Sequence, residues 1–261
     1  MSFAGVDIGA VSAKAVIISD NQIVGYSILP TGSDVVEVAK KVLNESLNKA
    51  GLIEKDLEYI IATGYGRISV PFANQQITEI SCHAKGANWF LPETKMVIDI
   101  GGQDSKAIKV GENGMVISFA MNDKCAAGTG RFLEVMAHAL QLPMEKFGEL
   151  SLESTNPCGI SSICTVFAES EVISLRAEKK PIQDIIAGIH KSVAKRIVAM
   201  STPIGITMPI TMTGGVAKNV GQRKALEDEL GTKLLIPKEP QIVGALGAAL
   251  FAQKMFGHQK K

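Results

Sequence analysis

An internal repeat constrains the fold of this chain more than any other feature of the sequence. Residues 6–16 align with residues 98–108 at a constant offset of 92 residues, so that Asp7 recurs as Asp99. Each copy has the pattern of a strand, a tight Asp-x-Gly turn, a second strand, a polar turn and a third strand. The repeat therefore predicts two lobes built on one plan, each opening with a β-meander.

The rest of the chain alternates strands with helices, which indicates the α/β class. We expect a first lobe over residues 1–94 and a second lobe over residues 95–243. A C-terminal helix, about residues 244–261, is expected to pack back on the first lobe. The spacing of apolar residues predicts helices at 34–50, 77–90, 182–201 and 244–250, and strands at 57–62, 210–213 and 233–236.

The composition argues against several classes of protein. A net charge of +1 and the lack of a basic stripe argue against a nucleic-acid partner. No run approaches the roughly 18 apolar residues that a membrane span requires. Asp7 interrupts the apolar N-terminus, which predicts a first strand and not a signal peptide. Four cysteines without features of secretion indicate a reducing cytoplasm and thiol or metal-ligand chemistry.

Both Asp-x-Gly turns have the chemistry of a phosphate and metal site. A carboxylate at the end of a buried strand suits a hard cation, and the adjacent glycine lets backbone N–H groups approach phosphate oxygens. We expect Asp7 and Asp99 to hold Mg²⁺ through water, with Gln103 and Asp104 orienting the metal or the attacking water. One copy alone could simply make a hairpin turn, but two copies at one offset favour a nucleotide-binding cleft. The predicted phosphate contacts are Gly9, Ala10, Val11, Ser12, Lys14, Gly101, Gly102 and Gln103.

A third element of the predicted nucleotide site is a strand, a double glycine and a helix in residues 212–219. Gly214 and Gly215 lack side chains, so a flat adenosine could lie against their backbone, and Asn219 could hydrogen-bond the ribose or the base. A double glycine alone often marks only a turn. Beside two phosphate hairpins it is the expected adenosine motif, to which Val216 and Gln241 are added.

Two cysteines lie in loops just ahead of helical patterns, Cys125 in residues 122–131 and Cys164 in residues 161–169. Because helix N-termini favour anions, both cysteines are expected to act as thiolates. The first of these loops lies just downstream of the second hairpin. Its position adds Gly128, Thr129 and Gly130 to the predicted nucleotide contacts.

The other two cysteines and two of the histidines are interpreted as structural. Cys82 lies on an apolar helical face, which predicts a buried thiol, whereas Cys158 is expected in a loop. The sequence also offers residues that could support the site or position water, namely Glu134, Glu169, Glu171, His83, His138 and His190. Solvation on a helix face is the preferred interpretation for the glutamates, and a packed, hydrogen-bonded side chain is preferred for His83 and His190.

The ordered set of two phosphate hairpins and a late Gly-Gly motif resembles the actin, sugar kinase and Hsp70 superfamily of two-lobed ATPases. Within it, residues 97–104, 121–132 and 163–173 resemble the activators of 2-hydroxyacyl-CoA dehydratases, which are related to the ATPase subunits of benzoyl-CoA reductase. The resemblance runs essentially from end to end and includes residues 63–67 and 79–83.

The resemblance implies a homodimer that holds one [4Fe–4S] cluster between its subunits. Members of this family use ATP to drive a low-potential electron into the dehydratase, and Cys125 and Cys164 match their cluster ligands. Four thiolates hold such a cluster, and a two-fold interface duplicates two of them. The implied partners are a 2-hydroxyacyl-CoA dehydratase or a related iron–sulfur enzyme, with reduced ferredoxin or flavodoxin as donor.

The first hairpin departs from the family pattern, which usually has Ser and Thr where this chain has Ala10 and Val11. Backbone N–H contacts to phosphate remain, and Ser12 can replace one of the two lost hydroxyls. Two other functions stay open. A small-molecule kinase of the same superfamily would need a catalytic Asp and a substrate-binding insertion, and neither is evident. An iron–sulfur sensor or scaffold would bind nucleotide without turnover.

Overall fold

The computed structural model describes residues 1–161 and 164–259, which form two lobes with one sheet each. Residues 162 and 163, in the second predicted cysteine segment, and residues 260 and 261, at the end of the predicted C-terminal helix, lie outside the described residues. The first sheet has the order β3-β2-β1-β4-β5. Its strands are β1 (Ser2–Ile8), β2 (Ser12–Ser19), β3 (Gln22–Pro30), β4 (Leu57–Thr63) and β5 (Gln75–Gln76).

The second sheet repeats the plan of the first in the order β8-β7-β6-β9. In both sheets the first three strands form an antiparallel meander, and a later strand pairs in parallel with the first. The predicted duplication of a β-meander is therefore confirmed. The strands are β6 (Met96–Ile100), β7 (Ser105–Val110), β8 (Val116–Asn122) and β9 (Ile210–Thr213).

Eight helices in the described residues cover these sheets, and the apolar spacing predicted the long ones well. The helix predicted at 182–201 has those bounds, and Asp34 caps the first helix by accepting a hydrogen bond from Glu37 N at 2.9 Å. The helices are α1 (Val35–Ala50), α2 (Glu79–Phe90), α3 (Gly130–Ala139), α4 (Met144–Leu152), α5 (Thr165–Ala177), α6 (Ile182–Ser201), α7 (Val220–Leu230) and α8 (Val243–Gln259).

Helices α2 and α8 pack against each other. Helix α8 also packs on β1 and β4 of the first sheet, and α2 packs on β6 and β7 of the second sheet. The small side chains of α8 permit this close packing, because a Cβ at Gly247 would collide with the backbone of Cys82. The two helices therefore lie between the sheets, next to the ends of β1 and β6 that carry the repeated aspartates.

The strand predicted at 233–236 is wrong. Only Leu235 pairs, through one parallel bridge to Thr211, while Lys233 Nζ lies 2.7 Å from Glu227 Oε2 on α7. Pro237 follows directly and cannot donate a ladder hydrogen bond. Residues 233–236 are thus paired to the sheet at Leu235 alone.

Candidate nucleotide-binding cleft

A cleft of about 680 Å³ opens between the two lobes, where both hairpins and the Gly-Gly segment meet. The structure brings most of the predicted site residues to its walls. Cys125, Cys164, Gly128 and Thr129 are not among the residues that line it. The predicted residues that do are Asp7, Gly9, Ala10, Val11, Ser12, Lys14, Asp99, Gly101, Gly102, Gln103, Asp104, Gly130, Gly214, Gly215, Val216, Asn219 and Gln241.

The first hairpin joins β1 to β2 through a tight turn in which Gly9 N donates to Ser12 O at 3.1 Å. Asp7, the next-to-last residue of β1, is 4% exposed. Its Oδ2 lies 3.6 Å from Lys14 Nζ, which β2 places directly opposite. The turn thus presents one carboxylate and one ammonium at the floor of the cleft.

The second hairpin repeats this arrangement and adds a second carboxylate. Gly101 N donates to Asp104 O at 2.9 Å, and Lys106 Nζ lies 3.6 Å from Asp99 Oδ2. The same ammonium lies 2.7 Å from Asp104 Oδ1. Burial alone would lower the pKa of Lys106, but the charges of Asp99 and Asp104 outweigh it and raise that pKa. Lys106 therefore stays charged although it is almost fully buried.

Lys106 was missed as a site residue, although the repeat already aligns it with Lys14. The ion pair to Lys106 also restricts Asp104, which was predicted to orient the metal or water. One of its carboxylate oxygens is committed to the ammonium. Glu79, Glu145, Glu149 and Lys218 also line the cleft and were not predicted to do so. Glu134 lines it as well, although solvation on a helix face was the preferred interpretation for that residue.

Asp99 is the most heavily supported carboxylate of the cleft. The Thr213 hydroxyl donates to its Oδ1 at 2.8 Å, and His83 Nδ1 lies 3.4 Å from the same oxygen. Burial alone would raise the pKa of the Asp99 carboxyl, but His83 and Lys106 outweigh it and hold that pKa below its ordinary value. Asp99 is thus ionised although it is buried. The ionised form is the one that a carboxylate needs to bind a metal.

The predicted adenosine segment lines the cleft, and one of its residues has structural partners. Gly214 follows β9 with φ +87° and donates to Pro240 O at 3.0 Å. Asn219 Oδ1 caps α7 by accepting from Gln222 N at 2.9 Å, and its Nδ2 lies 3.2 Å from His190 Nε2. Both ends of the Asn219 amide therefore have structural partners.

The loop with Gly128, Thr129 and Gly130 is bonded to the second hairpin. Gly130 N donates to Gly101 O and Arg131 N donates to Gly102 O, both at 2.8 Å. Thr129 is buried, and its hydroxyl donates to Ala126 O at 2.6 Å. The N–H of Gly130 is thus used within the protein, and only Gly130 of the three lines the cleft.

The sequence profile of the BadF/BadG/BcrA/BcrD ATPase family matches residues 4–252. The chain belongs to this ATPase family. It is 47% identical over 252 residues to the (R)-2-hydroxyglutaryl-CoA dehydratase activating ATPase of Acidaminococcus fermentans, an alignment that covers 96% of both chains.

Solved structures agree with this assignment. The activator of the 2-hydroxyisocaproyl-CoA dehydratase from Clostridium difficile with bound ADPNP superposes with a TM-score of 0.93 at 45% identity, over 100% of this chain and 97% of that one. A ROK family glucokinase from Streptomyces griseus shares only the fold, with a TM-score of 0.62 at 13% identity over 97% and 100% of the two chains. The predicted actin and sugar kinase-like fold is confirmed.

The four cysteines of this ATPase differ sharply in their surroundings. Cys82 is fully buried, and burial raises the pKa of its thiol to about 12, in agreement with a structural role. Cys158 is partly buried in a loop, where burial and the charge of Asp184 raise its thiol pKa. Cys125 and Cys164 are partly exposed.

The two cysteines that match cluster ligands stand at different distances from their helices. Cys164 is the N-cap residue of α5, as predicted. Cys125 lies four residues before Thr129, the N-cap of α3, so it is held by the loop and not by the helix start. Asn122 Nδ2 fixes this loop by donating to Cys125 O and Ala127 O, both at 3.0 Å.

The part of the chain that the structure describes lacks two kinds of feature. Residues 1–161 and 164–259 contain no group of three or more His, Cys, Asp or Glu side chains that could hold a metal ion. Across the same residues, no helix has both the length and the apolar character to cross a membrane.

Proposed function

We propose that this ATPase is an activator that transfers a low-potential electron to a 2-hydroxyacyl-CoA dehydratase or a related iron–sulfur enzyme. One observation carries the proposal: the hairpin that presents Asp99 to the cleft is joined by two backbone hydrogen bonds to the loop that carries Cys125. The dehydratase activators of Acidaminococcus fermentans and Clostridium difficile that the chain resembles support the proposal. Reduced ferredoxin or flavodoxin would supply the electron, and the protein would work in the cytoplasm.

The cleft fits Mg–ATP. The hairpin turns would bind the β- and γ-phosphates, with Lys14 and Lys106 balancing their charge, and the Gly214–Gly215 backbone would face the adenosine. Asp7 and Asp99 are buried carboxylates that each stand 3.6 Å from a lysine, too far for a hydrogen bond, which suits Mg²⁺ held through water. Hydrolysis would then depend on positioning and on neutralising charge.

The cysteines fit a cluster only if two chains share it. The described residues of one chain contain three cysteines of intermediate exposure and no metal-binding group of three. Of these cysteines, Cys125 and Cys164 match the cluster ligands that the resemblance implies. A [4Fe–4S] cluster takes four thiolates and, when bound, supplies a one-electron redox couple. A two-fold axis that brings both pairs together gives the required four.

The surface beside Cys164 supports such a homodimer. Val166, Phe167 and Ile173 on α5 are 66%, 65% and 55% exposed. Several large exposed apolar side chains on one helix are typical of a surface that another protein covers. We propose that a second copy covers them, which also excludes water from the ligand cysteines.

Anaerobic purification with iron and sulfide assays tests the proposal. We expect about four irons and four sulfides per dimer, and their loss in Cys125→Ser and in Cys164→Ser. Cys158→Ser is the matched control, because that thiol is also partly buried in a loop and is expected to leave the iron content unchanged. Iron-free wild-type protein from strictly anaerobic cells would contradict the proposal.

A second measurement separates the activator from the two other functions. ATP turnover that depends on an added sugar or carboxylic acid would indicate a kinase. Nucleotide binding without ATP turnover, and with no electron delivered from reduced flavodoxin to a dehydratase, would leave only a sensor or scaffold. The activator requires both ATP hydrolysis and reduction of the partner.

A further inference from the structure

We propose that His83 is a positioning residue for ATP hydrolysis, which holds one oxygen of Asp99 so that the other stays directed to the metal and phosphates. The inference rests on the proposed role of Asp99 in binding Mg²⁺. His83 lies on α2, is 6% exposed and lines the cleft. From the sequence, a packed, hydrogen-bonded side chain was preferred for His83 to a role in supporting the site.

The contacts of His83 define which oxygen it holds. Nδ1 lies 3.2 Å from Thr213 Oγ1 and 3.4 Å from Asp99 Oδ1. The Thr213 hydroxyl donates its only proton to Asp99 Oδ1 at 2.8 Å, so its oxygen can only accept from the imidazole. We therefore assign the proton to Nδ1, where it is shared between the hydroxyl and the carboxylate.

This assignment leaves the two oxygens of Asp99 unequal. Oδ1 receives the Thr213 hydroxyl and faces the imidazole N–H, whereas Oδ2 lies 3.6 Å from Lys106 Nζ, beyond hydrogen-bonding distance. A carboxylate held at one oxygen cannot rotate freely about its terminal bond. Oδ2 is thus the oxygen available to a metal-bound water, and its direction depends on His83 and Thr213.

The first hairpin lacks this support, although the repeat places a threonine there too. Thr63 pairs with Asp7 across β1 and β4, just as Thr213 pairs with Asp99 across β6 and β9. Among the described residues, the Thr63 hydroxyl has no oxygen or nitrogen partner and contacts the Cys82 thiol. The imidazole therefore serves one of the two repeated carboxylates.

The chain also makes room for the ring. A Cβ at Gly244 of α8 would lie 2.9 Å from His83 Nε2 and 2.9 Å from Asp7 Oδ2, so only glycine leaves space for both side chains. Helix α2 is fixed to the first lobe by the ion pair of Glu79 with Arg67 at 3.1 Å. The direction of Asp99, in the second lobe, is thus set from a helix that contacts both lobes.

The test measures the affinity for a fluorescent ADP with Mg²⁺ and with EDTA, together with kcat for ATP hydrolysis. The Mg²⁺-dependent gain is the ratio of the affinity measured with Mg²⁺ to the affinity measured with EDTA. For His83→Leu we expect this gain and kcat each to fall roughly 10- to 100-fold, because a buried hydrogen bond to a charged group is lost. Affinity in EDTA should stay within about twofold, because the phosphate-binding backbone is intact. His83→Asn, whose amide nitrogen can replace Nδ1, should restore most of both losses.

Three controls make the result decisive. His138→Leu removes an exposed histidine of α3 and should change neither quantity. If His83→Leu binds no nucleotide even in EDTA, the comparison of His83→Asn with His83→Gln decides, since Gln extends past the Nδ1 position. An Asn variant no better than Leu or Gln, or a Leu variant with wild-type Mg²⁺ dependence, overturns the inference.

Asp99→Asn separates this inference from the proposal beneath it. If Asp99→Asn keeps the full Mg²⁺-dependent gain, both the metal role of Asp99 and the positioning role of His83 are wrong. If Asp99→Asn loses the gain and His83→Leu keeps it, only the role of His83 is wrong.

Discussion

Val11 of the first hairpin packs directly on Gly102 of the second, so that the two phosphate hairpins touch across the cleft. A Cβ added at Gly102 would lie 2.8 Å from Val11 Cβ, closer than two carbon atoms can approach. Val11 is also one of the two positions where the chain lacks the hydroxyl that its family usually has. The contact therefore joins the two lobes through an apolar side chain that lines the cleft.

Gly102→Ala should force the hairpins apart and weaken nucleotide binding. Overpacking of this kind costs about 1–3 kcal/mol, which corresponds to a loss of ADP affinity of roughly 5- to 150-fold. Isothermal titration calorimetry measures it. Gly159→Ala is the matched control, because a Cβ there meets nothing within 4 Å. Equal affinities of the two variants would show that the hairpins do not need this contact.

Val11→Thr should strengthen nucleotide binding. Threonine has the same shape as valine, so it can keep the packing on Gly102 while one methyl group becomes a hydroxyl directed at the cleft that Val11 lines. A new hydrogen bond to phosphate contributes about 0.5–1.5 kcal/mol, or about a two- to tenfold gain in ADP affinity. Val11→Ala loses the packing without adding the hydroxyl. A Thr variant that binds no better than Ala would contradict the prediction.

The duplicated meanders and the Gly-Gly segment were predictable because their signals are local. Asp-x-Gly turns, strand alternation and helical periodicity each act over a few residues, and the repeat then places Asp7 and Asp99 at equivalent positions. The pairing of His83 with Thr213 was not predictable. These residues are 130 positions apart in the chain, and no local pattern links a helix residue to the last residue of a distant strand.

Asn219 shows that one local signal can have two interpretations, because it lines the cleft, where it was predicted to contact the nucleotide, and it also caps α7. An Asn before a helix is a common N-cap, and the structure uses it so. The strand predicted at 233–236 failed because the apolar run suits a strand but the tertiary structure offers pairing only at Leu235. Capping geometry and strand partners are decided by packing that one sequence does not display.

Lys106→Met should destabilise the protein far more than Lys14→Met, although the repeat makes the two lysines equivalent. Lys106 is 3% exposed and neutralises Asp99 and Asp104, and removing one partner of a buried ion pair costs about 3–5 kcal/mol. Lys14 is more exposed, and it lies 3.6 Å from Asp7. Urea unfolding at pH 7 measures the difference, and Asp104→Asn should recover part of the loss when combined with Lys106→Met. Equal losses for the two lysines would contradict the prediction.

His190 should make the protein less stable in mild acid. Burial lowers the pKa of this imidazole to about 3, and its ring packs edge-on against Phe147 with Nδ1 3.0 Å from Ser151 Oγ. In the unfolded chain a histidine binds its proton at a pKa of about 6.5, so below that pH the unfolded state takes up a proton that the folded state does not. Stability is therefore complete above pH 6.5 and decreases as the pH falls toward 3, by about 2 kcal/mol between pH 7 and pH 5.

His190→Gln should remove this pH dependence whatever it does to the stability at pH 7. The measurement is the free energy of unfolding in urea at pH 7 and at pH 5, and the difference between the two should shrink by about 2 kcal/mol in the variant. His138→Gln is the matched control, since that histidine is exposed and its variant should keep the wild-type difference. If His190→Gln keeps the same difference as His138→Gln, the buried imidazole is protonated in the folded protein and the neutral, hydrogen-bonded ring described above is wrong.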